Sequence, residues 1–381
     1  MLAALNRELE ILNADVGIVE TQYATWTEPL RLERGGELEQ FTLAYETYGT
    51  LNARRDNALL VMHALSGDAH LAGRHRPDDR KPGWWDAMVG PGRAFDTSRY
   101  FVICANVLGG CRGSTGPSSL DPATDRPYGL RFPVVTIGDM VAAQMRLLDR
   151  LGIDALHAAI GGSMGGMQVL ELAIAYPERV RVAAIFATAA KHSAQQIAFN
   201  HIGRQAIISD PNWRGGNYYG HEPPAAGLAT ARKVGHMTYL SAERLDWRFG
   251  RQQQPTTDGD NPFAAEFAVE SYLEYQGNSF VDRFDANSYL YITKALDLFD
   301  AAAGYASLAD AFKQTQARFL VASFASDWLY PPHESDELVS ALRAAGRTVE
   351  YAALPSLLGH DAFLLEHERL TPLVVEALAA V

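Results

Sequence analysis

Along the first 190 residues, apolar runs of strand length alternate with stretches of helical period. Residues 29–35 (PLRLERG) and 41–49 (FTLAYETYG) read as strands separated by the turn residues Gly35 and Gly36. Residues 57–65 (NALLVMHAL) form a short apolar run ending in small and polar residues, as a parallel strand buried on both faces should. Residues 101–110 (FVICANVLGG) repeat that design. Between them, residues 74–92 are polar and rich in Pro and Gly, which predicts a loop with one helical turn at 84–88. From Thr136 the period lengthens. IGDMVAAQMRLLDRLG carries apolar residues at helical spacing and stops at Gly152. A strand (LHAAIGGS), a helix ended near Pro177 (MGGMQVLELAIAYP) and a second strand (VRVAAIFATAA) follow. This is a βαβ unit with a Gly-rich corner, and it predicts a parallel sheet with right-handed crossovers.

Residues 191–312 break the rhythm. They are rich in Gln, Asn, Arg and aromatics, show several helical patterns (NSYLYITKALDLFD is the clearest) and no convincing strand. The alternation resumes with RFLVASFASD as a strand, HESDELVSALRAAG as a helix, TVEYAALPS as a strand, and a final helix starting near His360. The expected organisation is an α/β core in two parts, residues 1–190 and 313–381, with a mostly parallel central sheet. Residues 191–312 form a helical insertion lying over it as a lid.

Composition narrows the function. The chain has 381 residues, 48% hydrophobic and 20% charged, enough for a sizeable core without disulfides. A net charge of −12 argues against nucleic acid or an anionic membrane as partner. It leaves room for a phosphorylated ligand held by local Lys and Arg. Cys104 and Cys111 are the only cysteines, too few for a disulfide framework or a CxxC metal pattern. The first 17 residues carry acidic residues early and lack a basic segment followed by an apolar run, so they do not read as a signal peptide. No apolar stretch reaches a membrane-spanning length of roughly 18 residues, and a cytoplasmic location is expected.

The chemistry centres on Gly161-Gly162-Ser163-Met164-Gly165, a G-x-S-x-G sequence placed after a strand and before a helix. Such a corner projects the Ser163 hydroxyl at the carboxyl end of the strand and aims the Met164 N–H where an oxyanion would form. A serine hydroxyl is a weak nucleophile without a base and an orienting acid. This architecture supplies them in the order Ser, acid, His, on loops after late strands. Asp327 lies just past FLVASF, and His360 follows the strand near Tyr351. His63 and His157 fall in strands, His367 in the last helix, and His192, His201, His221 and His236 in the insertion, where surface or core roles suit them better. Asp361 alone could be a helix cap. The second oxyanion donor should come from the loop HALSGDAH, with the N–H of Leu65 as candidate. No H-E-x-x-H, paired Cys/His set or phosphate-binding G-x-x-x-x-G-K-[ST] loop is present, so a metal or ATP is not expected. These features reach only as far as serine acyl chemistry, and a plain esterase fits them too.

Six spaced segments narrow the reading. HALSGDAHLAG, NVLGGCRGSTGPSS, GGSMGGMQVLELA, ARKVGHMTYLS, SDWLYPP and GHDAFL together resemble the homoserine O-acetyltransferase family of methionine biosynthesis, from about residue 25 to the C-terminus. The resemblance implies an α/β-hydrolase fold with a helical lid, usually a homodimer. It implies acetyl-CoA as co-substrate and L-homoserine as acceptor, with no cofactor and no metal. It assigns Ser163 as nucleophile, Asp327 as orienting acid and His360 as base. Arg232 would meet the substrate carboxylate, as a guanidinium fork pairs with a carboxylate through two parallel hydrogen bonds. Asp361 would face the substrate amine.

Related enzymes on this scaffold transfer succinyl groups or acylate serine. A succinyl donor would need a cation shortly after the catalytic Asp, where this chain has the apolar Leu329. Burying a second carboxylate without a partner is costly. Asp68, if it faces the pocket, would also repel succinate. The acceptor is less constrained, because serine is one methylene shorter than homoserine, a difference worth about 1–3 kcal/mol.

Overall fold

The structure, a computed structural model, describes residues 16–255 and 261–381. Residues 1–15, most of the stretch read above as lacking a signal-peptide pattern, lie outside the described residues. The centre is an eight-stranded sheet made of β1 (Gln22–Trp26), β2 (Phe41–Tyr48), β3 (Ala58–Met62), β4 (Phe101–Ala105), β5 (Leu156–Gly162), β6 (Val180–Phe186), β7 (Arg318–Phe324) and β8 (Val349–Leu354). Their spatial order is β1-β2-β4-β3-β5-β6-β7-β8. β2 runs antiparallel to β1 and β4, and every other pairing is parallel. Helices cover both faces, and each face buries its own apolar cluster. β3 and β5 are buried along their whole length, which explains why they appear in the sequence as unbroken apolar runs.

The carboxyl ends of the parallel strands share one edge, where α/β sheets place their ligands. β5 sits between β3 and β6, with Met62 opposite Gly161 and Phe186 opposite Gly162. Local chemistry fixes the helices that flank this edge. Helix α1 (Ile137–Arg150) starts at Thr136, whose side chain accepts the Asp139 N–H while the Asp139 carboxylate accepts the Thr136 N–H. Helix α2 (Met164–Ala175) begins immediately after Ser163.

Residues 191–312 hold the helices α3 (Ala194–Ile208), α4 (Ala225–Tyr239), α5 (Ala242–Arg248), α6 (Ala268–Val281) and α7 (Ala286–Leu298). The two ends of this segment meet at an antiparallel bridge between Lys191 and Asp300, beside the hydrogen bond from Ala301 N–H to the Ala190 carbonyl. The α4–α5 corner is pinned to the loops after β7 and β8. Trp328 Nε1–H donates to the Leu240 carbonyl at 3.0 Å, and the Ser241 hydroxyl donates to the Leu357 carbonyl at 2.5 Å.

Three details differ from the sequence reading. The edge strand β1 was not anticipated; only Ala24 within it is fully buried, so it carries no apolar run. Of residues 29–35 only Leu30–Arg31 are strand, paired with Glu37–Leu38 in a separate two-stranded ribbon. The final helix does not start at His360. A 3-10 turn at Gly359–Asp361 and a short helical turn at Ala362–Leu365 precede the helix His367–Ala379.

Candidate active site

Ser163 sits at the corner between β5 and α2 with φ 56° and ψ −125°, a left-handed conformation that is costly for a residue with a Cβ. Close packing holds it there. A Cβ at Gly165 would lie 2.0 Å from the Met62 carbonyl oxygen, and one at Gly162 would lie 2.3 Å from the Phe363 ring, so both sites require glycine. The corner is further tied by Ser163 N–H to the Phe186 carbonyl (3.0 Å) and by the Thr188 hydroxyl to the Ser163 carbonyl (2.7 Å). As the first residue of α2, Met164 offers an N–H with no intrahelical partner.

Asp327 and His360 lie on the loops after β7 and β8, both buried. His360 Nδ1–H donates to Asp327 Oδ2 at 2.8 Å. The other oxygen of Asp327 accepts the N–H groups of Leu329 (3.0 Å) and Tyr330 (2.9 Å), which fixes the carboxylate plane. Burial alone would lower the His360 pKa. The charge of Asp327 and its hydrogen bond, helped by Asp361 and Glu334, outweigh burial and raise it above the ordinary histidine value. The rings of Tyr330, Phe363 and Tyr239 pack around the imidazole at centroid distances of 5.0, 5.6 and 6.0 Å. Tyr330 also lines the cavity over Ser163. A direct Ser163–His360 bond is not among the hydrogen bonds of the described residues; such contacts often tighten only when substrate is bound.

A small cavity opens over Ser163, with Leu65, His192, Tyr239, Leu329 and Tyr330 in its lining. The sequence-derived candidates Leu65 and Ser163 thus share one space. Among the described residues the Leu65 N–H has no hydrogen-bond partner, as an oxyanion donor requires. His63, buried two residues earlier, shapes this loop by accepting the Val107 N–H (3.0 Å) and donating to the Ala64 carbonyl (2.8 Å). Asp68 does not face the Ser163 cavity; it lines a separate one with Glu46 and His70. Its expected repulsion of succinate therefore has no support in its position, whereas Leu329 does line the Ser163 cavity.

Arg232, on α4, is held between two aromatic faces, with its guanidinium carbon 4.6 Å from the Phe280 centroid and 5.4 Å from that of Tyr239. Its Nε and Nη1 are buried without a hydrogen-bond partner. Burial raises the pKa of Asp361, an effect only partly opposed by the charges of His360 and Arg232. Around Arg232 the field is strongly positive. Burial, then Arg232, Arg283 and Arg248, drive the neighbouring His236 down to about 3. A half-buried cation with two buried, unpartnered nitrogens in such a field suits an anionic ligand.

Sequence reasoning missed His192 and Tyr330. His192 is buried, not a surface residue. Its Nε2 lies 2.6 Å from the Tyr330 hydroxyl and its Nδ1 lies 3.1 Å from Asp297, which also pairs with Arg204 at 2.7 Å. An Asp–His–Tyr chain thus ends at Tyr330, in the lining of the Ser163 cavity. Cys111 lies outside this cavity, and burial pushes its thiol up to about 12, so it is no competing nucleophile.

Comparisons agree with this architecture. Residues 57–353 match the alpha/beta hydrolase fold family. A homoserine O-acetyltransferase of Solidesulfovibrio magneticus is 56% identical over 371 residues, covering 95% of this chain and 93% of that one. The crystal structure of a homoserine O-acetyltransferase from Bacillus anthracis superposes with a TM-score of 0.89 at 31% identity, covering 95% and 98% of the two chains. Esterase E22 superposes with a TM-score of 0.87 at 29% identity, covering 95% and 100%. The chain belongs to the homoserine O-acetyltransferase family, built on the α/β-hydrolase fold.

Proposed function

We propose that this enzyme transfers the acetyl group of acetyl-CoA to the hydroxyl of L-homoserine through an acyl-Ser163 intermediate, with no cofactor. The observation that carries the acceptor assignment is the half-buried Arg232, whose Nε and Nη1 are buried without a protein partner. A carboxylate would pair with its charge, which neutral water does not. In the first half-reaction His360 takes the Ser163 proton as the oxygen attacks the thioester carbonyl. The N–H groups of Leu65 and Met164 hold the oxyanion, and CoA leaves as the thiol, protonated by His360. In the second, Arg232 binds the homoserine carboxylate and Asp361 its ammonium. His360 then deprotonates the homoserine hydroxyl, which attacks the acyl-serine and releases Ser163.

Residues 191–312 act in this reading as a lid that limits water. Effective molarities of oriented reactants reach roughly 10⁵ M, enough for a positioned hydroxyl to outcompete solvent. Leu329 in the cavity lining favours acetyl over succinyl, since it offers no partner for a second carboxylate. Family likeness extends the proposal to a homodimer in the cytoplasm; among the described residues no helix is long and apolar enough to cross a membrane.

The test is thiol release from acetyl-CoA with L-homoserine, with L-serine and with no acceptor. Strong release with homoserine alone, abolished by Ser163→Ala, is expected. Faster release with serine would reassign the acceptor. Equal release without an acceptor would make the protein a hydrolase and refute the lid's role.

A further inference from the structure

A second cavity, of ≈ 400 Å³, shares none of its lining with the one over Ser163. Glu46, from the middle of β2, projects toward it with a side chain only 1% exposed. Its Oε2 lies 3.0 Å from His70 Nδ1, and its Oε1 lies 2.7 Å from His75 Nε2. Both histidines come from the loop after β3, and their rings overlap at 3.9 Å between centroids. The hydroxyls of Thr21 and Tyr48 donate to the same carboxylate at 2.9 and 2.8 Å. Burial would raise the Glu46 pKa, but the hydrogen bonds from His70, His75 and Tyr48 outweigh it and hold it at about 2, so the carboxylate is charged at neutral pH.

Two imidazole nitrogens and one carboxylate therefore converge, with all their ligand atoms within 4.8 Å of one another. In a tetrahedral zinc site with bonds of roughly 2.0–2.1 Å the ligand atoms stand about 3.3 Å apart. The separations of 2.7 and 3.0 Å, to the two different oxygens of Glu46, need to open by only a few tenths of an ångström, while the widest separation in the set, up to 4.8 Å, has to close. One cation can thus replace the two protons that now bridge the imidazoles to Glu46. The donor set of two His and one carboxylate suits zinc and its borderline neighbours; calcium and magnesium demand more oxygens. Thr21 and Tyr48 supply the outer hydrogen bonds that orient a ligating carboxylate. The open cavity leaves room for a water as fourth ligand; Asp68 and Arg112 on its wall pair with each other at 3.5 Å.

We propose that Glu46, His70 and His75 bind one zinc-class divalent cation, separate from the acyl-transfer site, which ties β2 to the loop after β3. The test uses the full chain, stripped with a chelator and then titrated with Zn²⁺ by calorimetry and with Co²⁺ by visible absorption. One saturating equivalent, ligand-field bands of low-coordinate cobalt, and a zinc-induced rise in melting temperature are expected. Losing an outer-shell partner already weakens metal sites about 10–100-fold, so His70→Gln and His75→Gln should each weaken binding by at least about 100-fold. His221→Gln, exposed and outside the cluster, should leave binding unchanged. His75 is partly exposed, so His75→Gln should stay folded, which circular dichroism checks. Absence of saturable binding by the wild type, or equal affinity in folded His75→Gln, overturns the proposal. Both readouts are independent of acyl transfer, so a negative result leaves the Ser163 reading untouched.

Discussion

Replacing Asp327 by Asn tests the proposed dyad with almost no change of shape. Asp327 is buried, and its Oδ1 accepts two backbone N–H groups at 3.0 and 2.9 Å. In the Asn variant the amide oxygen must take that place, because turning the NH₂ toward those donors would leave three donors facing one another. The NH₂ then faces His360 Nδ1, which must accept, and the ring proton moves to Nε2. The base now presents an N–H to Ser163 where it needs a lone pair. A tautomer inversion of this kind lowers kcat by about 10⁴, equivalent to ~5 kcal/mol. Asp327→Ala should also cost stability, about 1–3 kcal/mol for each N–H left unsatisfied. The assay is thiol release with homoserine alongside a thermal melt. Activity of Asp327→Asn within tenfold of wild type would refute the argument. The pH profile gives a second check. His360 must be neutral to act as base, so kcat/KM falls as pH drops through its raised pKa, which places the acid limb above the ordinary value of about 6.5. The sign for stability is opposite: the raised folded pKa stabilises below about pH 6.5 and that gain is lost as pH rises through the folded value.

Four further outcomes are expected. Gly165→Ala places a Cβ 2.0 Å from the Met62 carbonyl, backbone that cannot step aside, and should destabilise by at least about 1–3 kcal/mol, read by denaturant melts. Tyr330→Phe leaves His192 Nε2 without its 2.6 Å partner and should lower stability by about 1–3 kcal/mol, with the pH profile of activity reporting any coupling to Ser163. Leu329→Arg should raise turnover of succinyl-CoA relative to acetyl-CoA by supplying the missing cation, measured as a ratio of kcat/KM values. Arg232→Ala should lower kcat/KM for homoserine by roughly 10²–10³-fold, as expected when one member of a buried charge pair is lost, while slow thiol release without acceptor persists.

Ser163 and Asp327 stood out in the sequence because each follows a strand buried on both faces; His360 follows β8, which is only partly buried, and was placed by chain order instead. β5 and β7 carry unbroken apolar runs, and the residues that end them, Ser163 and Asp327, stand out against that background. β1 was not legible. As an edge strand it buries one residue, and no period survives so short an imprint. The final helix was misplaced by seven residues, since nothing local announces that the chain breaks at Gly359 to set His360 against Asp327. His192 could not be found from sequence at all. Its partners Asp297 and Tyr330 lie 105 and 138 residues away, and the contact exists only once the insertion has folded back onto the core. The same holds for Glu46, His70 and His75, which β2 and the loop after β3 bring together with no motif spacing.

An esterase with a TM-score of 0.87 to this chain means the sheet and its serine corner do not by themselves decide between transfer and hydrolysis. Both outcomes need the same oxyanion donors and the same base, so the decision must lie in what stands over the corner. Over Ser163 that is α3 and α4, together with Leu329 and Tyr330; Arg232, farther back on α4, and Asp361 do not line this cavity. The Arg232 guanidinium lies between Phe280 and Tyr239, and its Nε and Nη1 have no protein partner. On the proposed reading a ligand carboxylate pairs with that cation. An amino acid with a side-chain hydroxyl then brings a carboxylate for Arg232 and an ammonium for Asp361, which water does not. The preference for transfer is, on that proposal, set by those two charges, on a sheet that would serve a hydrolase equally well.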